Sequence, residues 1–512
     1  MLSVEDRAFF TLVSEAAFTN PFGDARARLD QTIARDAHSA KRHATIADTL
    51  RTVSSRLAQL GRFDLSRLPD DDRRLLEDAV LFDVFHAAIG RLDALIQEQR
   101  AAGDAPVQVP FSREVIKALV DAGSSASEGV RYFALFFQLR RAFLFIDESL
   151  PGASASMQRF RERLWCNLFT HDARLYARTL GRRMEDFSTF IIGETGTGKG
   201  TAAAAIGRAA FIPFDEKTER FAASFEKGFV SINLSQFPET LIESELFGHT
   251  RGAFTGAATA HEGLFSRCSA YGAVFLDEIG EASPPVQVKL LRVLQERAFS
   301  PVGGHDILRF RGRVVAATNR TLGELRRGSF RDDFYYRLCS DVIVVPTLRE
   351  RLAEEPRELG ALVRVILRRI VGDAVTSQPT EFSVRTSTQR LPPSVNSERD
   401  AEEHVIEVVG AIERDVGAAY AWPGNVRELE QGVRRVLLTG HYEGDTSARA
   451  GAATDDFELL DLVGDTTVKG LTARYCRALY ARHGSYEEVA RRTGLDRRTV
   501  KAHVGRAVEV PR

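Results

Sequence analysis

A chain of 512 residues is long enough for about three domains. With 44% apolar and 27% charged residues, its composition is that of a globular protein rather than a disordered or fibrous one. A net charge of −1 excludes wrapping of nucleic acid by the chain as a whole, so any DNA surface must be local.

Four widely separated cysteines (Cys166, Cys268, Cys339, Cys476) form no C-x-x-C, which argues against a zinc site or disulfide framework and fits a reducing compartment. The opening MLSVEDRAFF lacks the basic-then-apolar pattern of a secretory signal. The most apolar stretch, YFALFFQLRRAFLFI (132–146), is interrupted by Arg140 and Arg141 and each half is far too short to span a bilayer. It is expected to be a buried helix, and the protein to be cytoplasmic with no membrane partner.

Residues 1–158 read as helical, with apolar residues at three- and four-residue spacing, as in LLEDAVLFDVFHAAIGRLDALI (75–96). Breaks fall at NPFGD (20–24), AAGDAPVQVP (101–110) and PGASAS (151–156). No chemical motif stands out there, and Phe133, Phe136 and Phe137 are assigned to a core rather than a pocket.

From 159 to 345 the character changes. STFIIGETGTGKG (188–200), GAVFLDEIGE (272–281) and GRVVAATNR (312–320) each begin with a short apolar run. Strands alternating with helices indicate a buried, mostly parallel sheet, an α/β fold. Residues 346–440 read as helices again, broken by a polar insert at 375–400 expected to form a loop. A small-residue linker (441–465) leads to a compact basic helical tail (466–512).

Gly193-Glu194-Thr195-Gly196-Thr197-Gly198-Lys199 fits G-x-x-x-x-G-K between a strand and a helix. Glycines let backbone N–H groups face phosphate oxygens, and the helix N-terminus adds positive potential. The nucleotide expected is ATP with Mg2+, Lys199 reaching the β- and γ-phosphates. The usual Ser or Thr metal ligand is replaced by Gly200, so either Thr201 or water takes that role.

Asp277 and Glu278 end an apolar strand, where α/β sheets place ligands. Asp277 is assigned to magnesium and Glu278 to activation of the attacking water. Thr318-Asn319 ends the next strand and is a candidate sensor of the γ-phosphate. Arg331 and Arg337, in FRDDFYYRL, and Arg427, in WPGNVRELE, are candidates for transition-state charge.

Residues from about 160 to 440 resemble the AAA+ domain of sigma-54-dependent transcriptional activators, the bacterial enhancer-binding proteins. The resemblance rests on GETGTGKG, ESELFGHTRGAFTGA, GAVFLDEIGE, VQVKLLRVLQER, VGG, VVAATNR, FRDDFYYRL, LRER and WPGNVRELE, in that order. It implies that Gly252-Ala253-Phe254-Thr255-Gly256-Ala257 tips a loop that touches the sigma-54 subunit of RNA polymerase. An aromatic between glycine hinges is a small apolar contact that can be offered or withdrawn.

By the same resemblance Asn233 would link Glu278 to that loop. Arg331 and Arg337 would be fingers acting on a neighbour's nucleotide, and Arg427 the lid's sensor arginine. Trans-acting fingers imply self-assembly, a hexameric ring built from dimers. The LAEEPRELG that follows LRER departs from the family pattern, as does the insert at 375–400.

GSYEEVARRTGLDRRTVKAHV (484–504) has helix-turn-helix spacing, with Ala490 at the close approach, Gly494 at the turn, and Val489, Leu495 and Val500 apolar. It resembles the Fis-type tails of the same activators. Arg497, Arg498, Thr499, Lys501 and His503 are the candidate contacts to double-stranded DNA upstream of promoters.

The fold class expected is therefore multidomain: a helical N-terminal domain, an AAA+ P-loop ATPase with a helical lid, and an all-α helix-turn-helix. The function expected is ATP-driven remodelling of sigma-54 holoenzyme into an open complex. An unfoldase gives no reason for the tail, and a repressor with a vestigial ATPase is opposed by Lys199, Asp277 and Glu278. The front is either a packing or dimerisation domain or a sensor; it shows none of the βα alternation of a phosphoreceiver.

Overall fold

A computed structural model describes residues 2–34, 42–61, 68–181, 183–328, 330–376 and 395–444, and then 472–505 apart from 474, 478 and 481–483. Two compact units emerge, Met1–Ala418 with Gly424–Tyr442, and Ala419–Pro423 with Glu443–Arg512.

The first unit opens with seven helices: α1 (Val4–Phe18), α2 (Asp24–Ala34), α3 (Arg42–Leu60), α4 (Asp70–Ala102), α5 (Ser112–Asp121), α6 (Ala126–Ser149) and α7 (Ala155–Phe169). Three of the gaps between them fall at the breaks read from the sequence; the ends of α2, α3 and α5 were not read. Ser3 caps α1 through the Asp6 N–H, and Ser125 with Glu128 forms a capping box on α6. Phe9, Phe10, Val13, Ile33, Val53, Leu76 and Phe82 close a first core between α1, α2, α3 and α4.

Five parallel strands follow: β1 (Thr189–Ile192), β2 (Phe229–Asn233), β3 (Ala273–Asp277), β4 (Arg313–Thr318) and β5 (Asp341–Val344). Their order in the sheet is β2-β3-β4-β1-β5. The three central strands β3, β4 and β1 are buried on both faces, the pattern of a covered parallel sheet, while the edge strands β2 and β5 are only partly buried. This is the α/β domain expected between the two helical regions.

A second core continues across the expected boundary at 158/159, which itself falls inside α7. Phe133, Phe137 and Phe145 of α6 pack on Phe214, Phe221 and Phe225, and one hydrophobic cluster runs from Ala88 to Val345. The apolar stretch at 132–146 is a buried helix, as read. Its Arg141 is fully buried rather than a surface interruption.

Arg141 sits at the end of α8 (Lys199–Arg208), the helix that starts at the P-loop. Arg141 Nη1 and Nη2 donate to the carbonyls of Arg208 (2.7 Å) and Ala210 (2.8 Å), and Gln138 Nε2 donates to Ala209 O (3.0 Å). Carbonyls left open at a helix C-terminus are thus satisfied by a cation from α6. Burial pulls the guanidinium pKa down to about 9, and its faces rest on Phe137 and Phe225.

Beyond the sheet come α9 (Glu239–Phe247), α10 (Pro284–Glu296), α11 (Asp332–Leu338), α12 (Leu348–Glu354), α13 (Glu358–Thr376), α14 (Val395–Val416) and α15 (Asn425–Thr439). The expected loop at 375–400 is shorter than read. Thr376 still belongs to α13 and Val395 already opens α14, while 377–394 lie outside the described residues. Glu358 is buried against Arg351 and accepts from the Ala153 (3.1 Å) and Ser154 (2.9 Å) N–H groups, so the start of α13 is tied to the start of α7.

The second unit contains α16 (Tyr486–Thr493) and α17 (Arg497–Gly505) around Cys476, Val489 and Val500. Gly494 at φ +71° ends α16, and Asp496 Oδ1 accepts from the N–H groups of Arg498 (2.9 Å) and Thr499 (3.0 Å) at the start of α17. Most of the linker, 445–465, lies outside the described residues.

Candidate nucleotide cleft and loop

The C-terminal edge of the sheet gathers the chemistry. β1 runs into the P-loop, where Gly196 (φ +80°) and Gly198 (φ +101°) adopt conformations that side chains disfavour. Gly196 also admits no Cβ, since one would lie 2.2 Å from Gly424 O. Lys199 is buried; its Nζ donates to Gly193 O (2.9 Å) and Glu194 O (3.2 Å) and lies 4.0 Å from Glu278 Oε1. Burial lowers the ammonium pKa, and the Glu278 and Asp277 carboxylates oppose that shift.

Asp277 ends β3. Burial raises its carboxyl pKa, with Lys199 pulling the other way. Its Oδ1 accepts from the Glu278 N–H at 3.1 Å. Glu278 sits at φ +52°, a left-handed backbone that a non-glycine residue adopts only under constraint. Glu278 Oε2 accepts from the Asn319 N–H (3.2 Å), and Asn319 Nδ2 lies 3.5 Å from Thr195 Oγ1. Four strand ends therefore converge around Lys199.

Asn233 corrects one expectation. Its Nδ2 donates to Asp277 Oδ2 (3.4 Å), not to Glu278, while its Oδ1 accepts from Ser235 N (3.0 Å). Neighbouring β2 and β3 place Asn233 directly opposite Asp277 in register, which decides the partner. Arg331 and Arg337 do not line this chain's own cleft. Arg331 is bidentate to Asp333 (3.0 and 2.8 Å), and Arg337 donates to Leu294 O (3.0 Å) at the end of α10.

The cleft is about 340 Å³ and is lined by 195–201, Asn233, Asp277, Glu278 and Arg427. It fits a nucleotide triphosphate and a divalent cation. Lys199 is a buried cation whose hydrogen bonds among the described residues go to carbonyls of its own loop, and Asp277 is a half-buried carboxylate beside it. At Gly200 a Cβ would meet nothing nearer than Phe275 at 3.8 Å, so the missing hydroxyl is not a steric requirement. Thr201 is exposed at the cleft and offers the hydroxyl instead.

Several cleft residues were not singled out from the sequence. Asn425, fully buried at φ +52°, donates to Glu194 Oε2 and Thr195 O (both 3.1 Å) and accepts from Leu348 N (2.8 Å), stitching the lid to the P-loop. Arg349 pairs with Glu194 at 2.6 Å. Leu150, Met157 and Phe160 bring the front helices to the same cleft. Asn425, inside WPGNVRELE, and Arg349, inside LRER, lie in segments that carry the resemblance.

The GAFTGA segment follows α9. Gly252 (φ +79°) and Gly256 (φ +102°) flank the tip, each with open space around it. Gly252 N–H donates to Ala257 O (2.9 Å) and Ala257 N–H to Phe254 O (3.0 Å), so the six residues close on themselves. Phe254 is 40% exposed, its ring edge-on to the His249 imidazole at 4.9 Å. Thr255 is exposed, and Ala253 packs so tightly on Gly303 that a Cβ there would come within 2.7 Å.

In the second unit Arg497, Arg498 and Lys501 are exposed on α17, with Thr499 and His503 half-buried. Arg497 pairs with Glu487 (2.8 Å), and Thr499 Oγ1 donates to Asp496. Arg498, Lys501 and His503 make no side-chain bond among the described residues. None of the helices described is long and apolar enough to cross a membrane.

The chain matches the family described as Sigma-54 interaction domain over residues 173–344. It is 40% identical over 252 residues to the Nif-specific regulatory protein of Azotobacter vinelandii, covering 49% of this chain and 40% of that protein. It is 34% identical over 331 residues to the transcriptional regulatory protein ZraR of Escherichia coli (strain K12), covering 62% and 63%. It is 37% identical over 293 residues to the DNA-binding transcriptional regulator NtrC of Azospirillum brasilense, covering 57% and 48%. The chain thus spans between 40% and 63% of the length of these relatives. Residues 173–344 thus match a sigma-54 interaction domain, and these relatives are transcriptional regulators.

Proposed function

We propose that this protein binds DNA upstream of a promoter and uses ATP hydrolysis to drive the 252–257 loop against sigma-54 in RNA polymerase holoenzyme, opening the promoter. The observation that carries the reading is one chain holding both a P-loop cleft with Lys199, Asp277 and Glu278 converged and an exposed Phe254-Thr255 tip on glycine hinges.

Lys199 would turn from its own loop carbonyls to the phosphates. Glu278, fixed by its backbone and by the Asn319 N–H, would take the proton of the attacking water. Asp277 and Thr201 would hold Mg2+, which supplies charge neutralisation at the phosphate oxygens. Arg427 would read the phosphates from the lid. Arg331 and Arg337, which do not line their own cleft, would serve a neighbour's in a ring, a hexamer built from dimers. Asn233, held to Asp277, leads directly into the turn before α9 and the loop, which gives the cleft a short route to the tip.

Thr255→Ala tests the loop. ATP turnover should be unchanged, while sigma-54 open-complex formation should fall about thirtyfold or more, the cost of a central contact of about 2 kcal/mol. Unimpaired open-complex formation by this variant would reject the loop's role.

Arg498→Ala tests the tail. Its side chain is exposed at the start of α17 and free of intramolecular bonds among the described residues, so loss of a DNA contact should weaken specific binding by about 1–3 kcal/mol at fixed salt. Undiminished affinity in a fluorescence-anisotropy titration removes Arg498 from the interface.

A further inference from the structure

The front helices enclose a cavity of about 680 Å³ at the seam between the α1–α4 core and the core shared with the ATPase. We propose that this cavity is a binding site for an uncharged, flat, ring-containing small molecule that donates one hydrogen bond to His86. Phe136, which the sequence placed in the core, is one of its walls.

Size, lining and polarity each point to that class. Ligand pockets typically span about 300–1,000 Å³ and are mostly apolar with a few placed polar groups. Phe22, Phe82, Phe85, Phe136, Phe143 and Trp165 face this one, and aromatic faces favour flat partners. Cavities are otherwise small and few in a packed interior, so a void of this size beside two filled cores is not ordinary packing.

Several charged groups on the wall are already bonded. Arg26 is bidentate to Asp30 (3.1 and 3.0 Å), Arg174 pairs with Asp78 (2.8 Å), Arg140 is held by Asp93 (2.8 Å), and Arg161 donates to the carbonyls of Leu150 (3.0 Å) and Gly152 (2.8 Å). A charged ligand would have to compete with these bonds. His86 is different. Its Nδ1 lies 2.7 Å from Phe82 O, the partner that fixes the proton on that nitrogen, and Nε2 has no partner among the described residues. Burial holds the imidazole pKa down to about 4, so at neutral pH Nε2 is an acceptor. Its ring also lies tilted on Phe82 (4.1 Å) and edge-on to Phe85 (5.1 Å), which fixes its direction.

The site has a mechanical connection. α6 supplies Leu135, Phe136, Leu139 and Phe143 to the cavity on one side. From its other side Gln138 and Arg141 hold the last carbonyls of the P-loop helix α8. Anything that shifts α6 on filling the cavity acts on the helix that carries Lys199.

The test uses the full chain and two fluorescent probes, 2-phenylindole, which is flat and neutral with one N–H, and 1-methyl-2-phenylindole, which lacks it. Saturable binding of the first is expected, with the second about three- to tenfold weaker, the worth of one buried hydrogen bond. His86→Phe keeps the ring and should remove the difference between the probes. Leu139→Trp fills the cavity and should weaken both at least tenfold, and a cooperative melt of each variant establishes that it is folded. Absence of saturable binding overturns the proposal, as does unchanged binding by folded Leu139→Trp. Equal affinity of the two probes for the wild-type chain overturns the assignment of His86. None of these readouts depends on ATP turnover, so a failure here is separable from a failure of the ATPase reading.

Discussion

Glu278→Gln should retain ATP binding and lose ATP turnover by about 10²–10⁴-fold, the usual contribution of a positioned general base. Glutamine keeps the size of the side chain and an oxygen that still accepts from the Asn319 N–H, so the strand ends stay together. What it removes is the capacity to take a proton. The Lys199 cradle is untouched, because Lys199 bonds to Gly193 and Glu194 carbonyls and lies 4.0 Å from Glu278. Filter binding and phosphate release, measured side by side, separate the two quantities. Turnover at the wild-type rate would take the base assignment away from Glu278. Weakened binding together with lost turnover would instead mean that the carboxylate's charge supports the cradle.

A chain lacking residues 1–152 should fail to fold cooperatively, despite keeping the entire matched domain. Its removal takes away α6 and uncovers Phe214, Phe221 and Phe225, which pack on Phe133, Phe137 and Phe145. At about 1.5–3 kcal/mol for each buried aromatic, losing three such partners costs roughly 5–9 kcal/mol. That is comparable to the whole stability of a typical domain, about 5–15 kcal/mol. The carbonyls of Arg208, Ala209 and Ala210 also lose Arg141 and Gln138. Thermal melts followed by near-UV circular dichroism, with dye binding to exposed apolar surface, make the measurement. A truncated chain that melts as sharply and as high as the full one would show that the shared core is dispensable.

The gathering of Lys199, Asp277 and Glu278 at one edge of the sheet was legible in the sequence because its signals are local. A P-loop is a strand, a glycine turn and a helix within a dozen residues, and Asp277-Glu278 and Thr318-Asn319 each close a short apolar run. The same holds for the tail, where Val489, Gly494 and Val500 occupy the positions read for them.

What was not legible depends on contacts distant in sequence. Arg141 looks like a polar interruption of an apolar helix, and only the fold shows carbonyls waiting for it. Asn425 lies 231 residues from the Glu194 it bonds. Phe136 and Phe137 both belong to the core, as read, but only Phe136 also lines the front cavity. No single-helix periodicity distinguishes two apolar faces with different neighbours. Asn233 was assigned to the wrong carboxylate because the choice between Asp277 and Glu278 is made by strand register.

The cap that α6 places on α8 joins Gln138 to Ala209, 71 residues further along the chain. During synthesis at about 5–20 residues per second, those carbonyls leave the ribosome about 4–14 s after the side chains that will hold them. Through that interval Phe133, Phe137 and Phe145 of α6 lack the Phe214, Phe221 and Phe225 rings that pack on them. Transiently exposed apolar surface of this kind is aggregation-prone, so the front completes its packing only once the P-loop helix and the segment after it have been made.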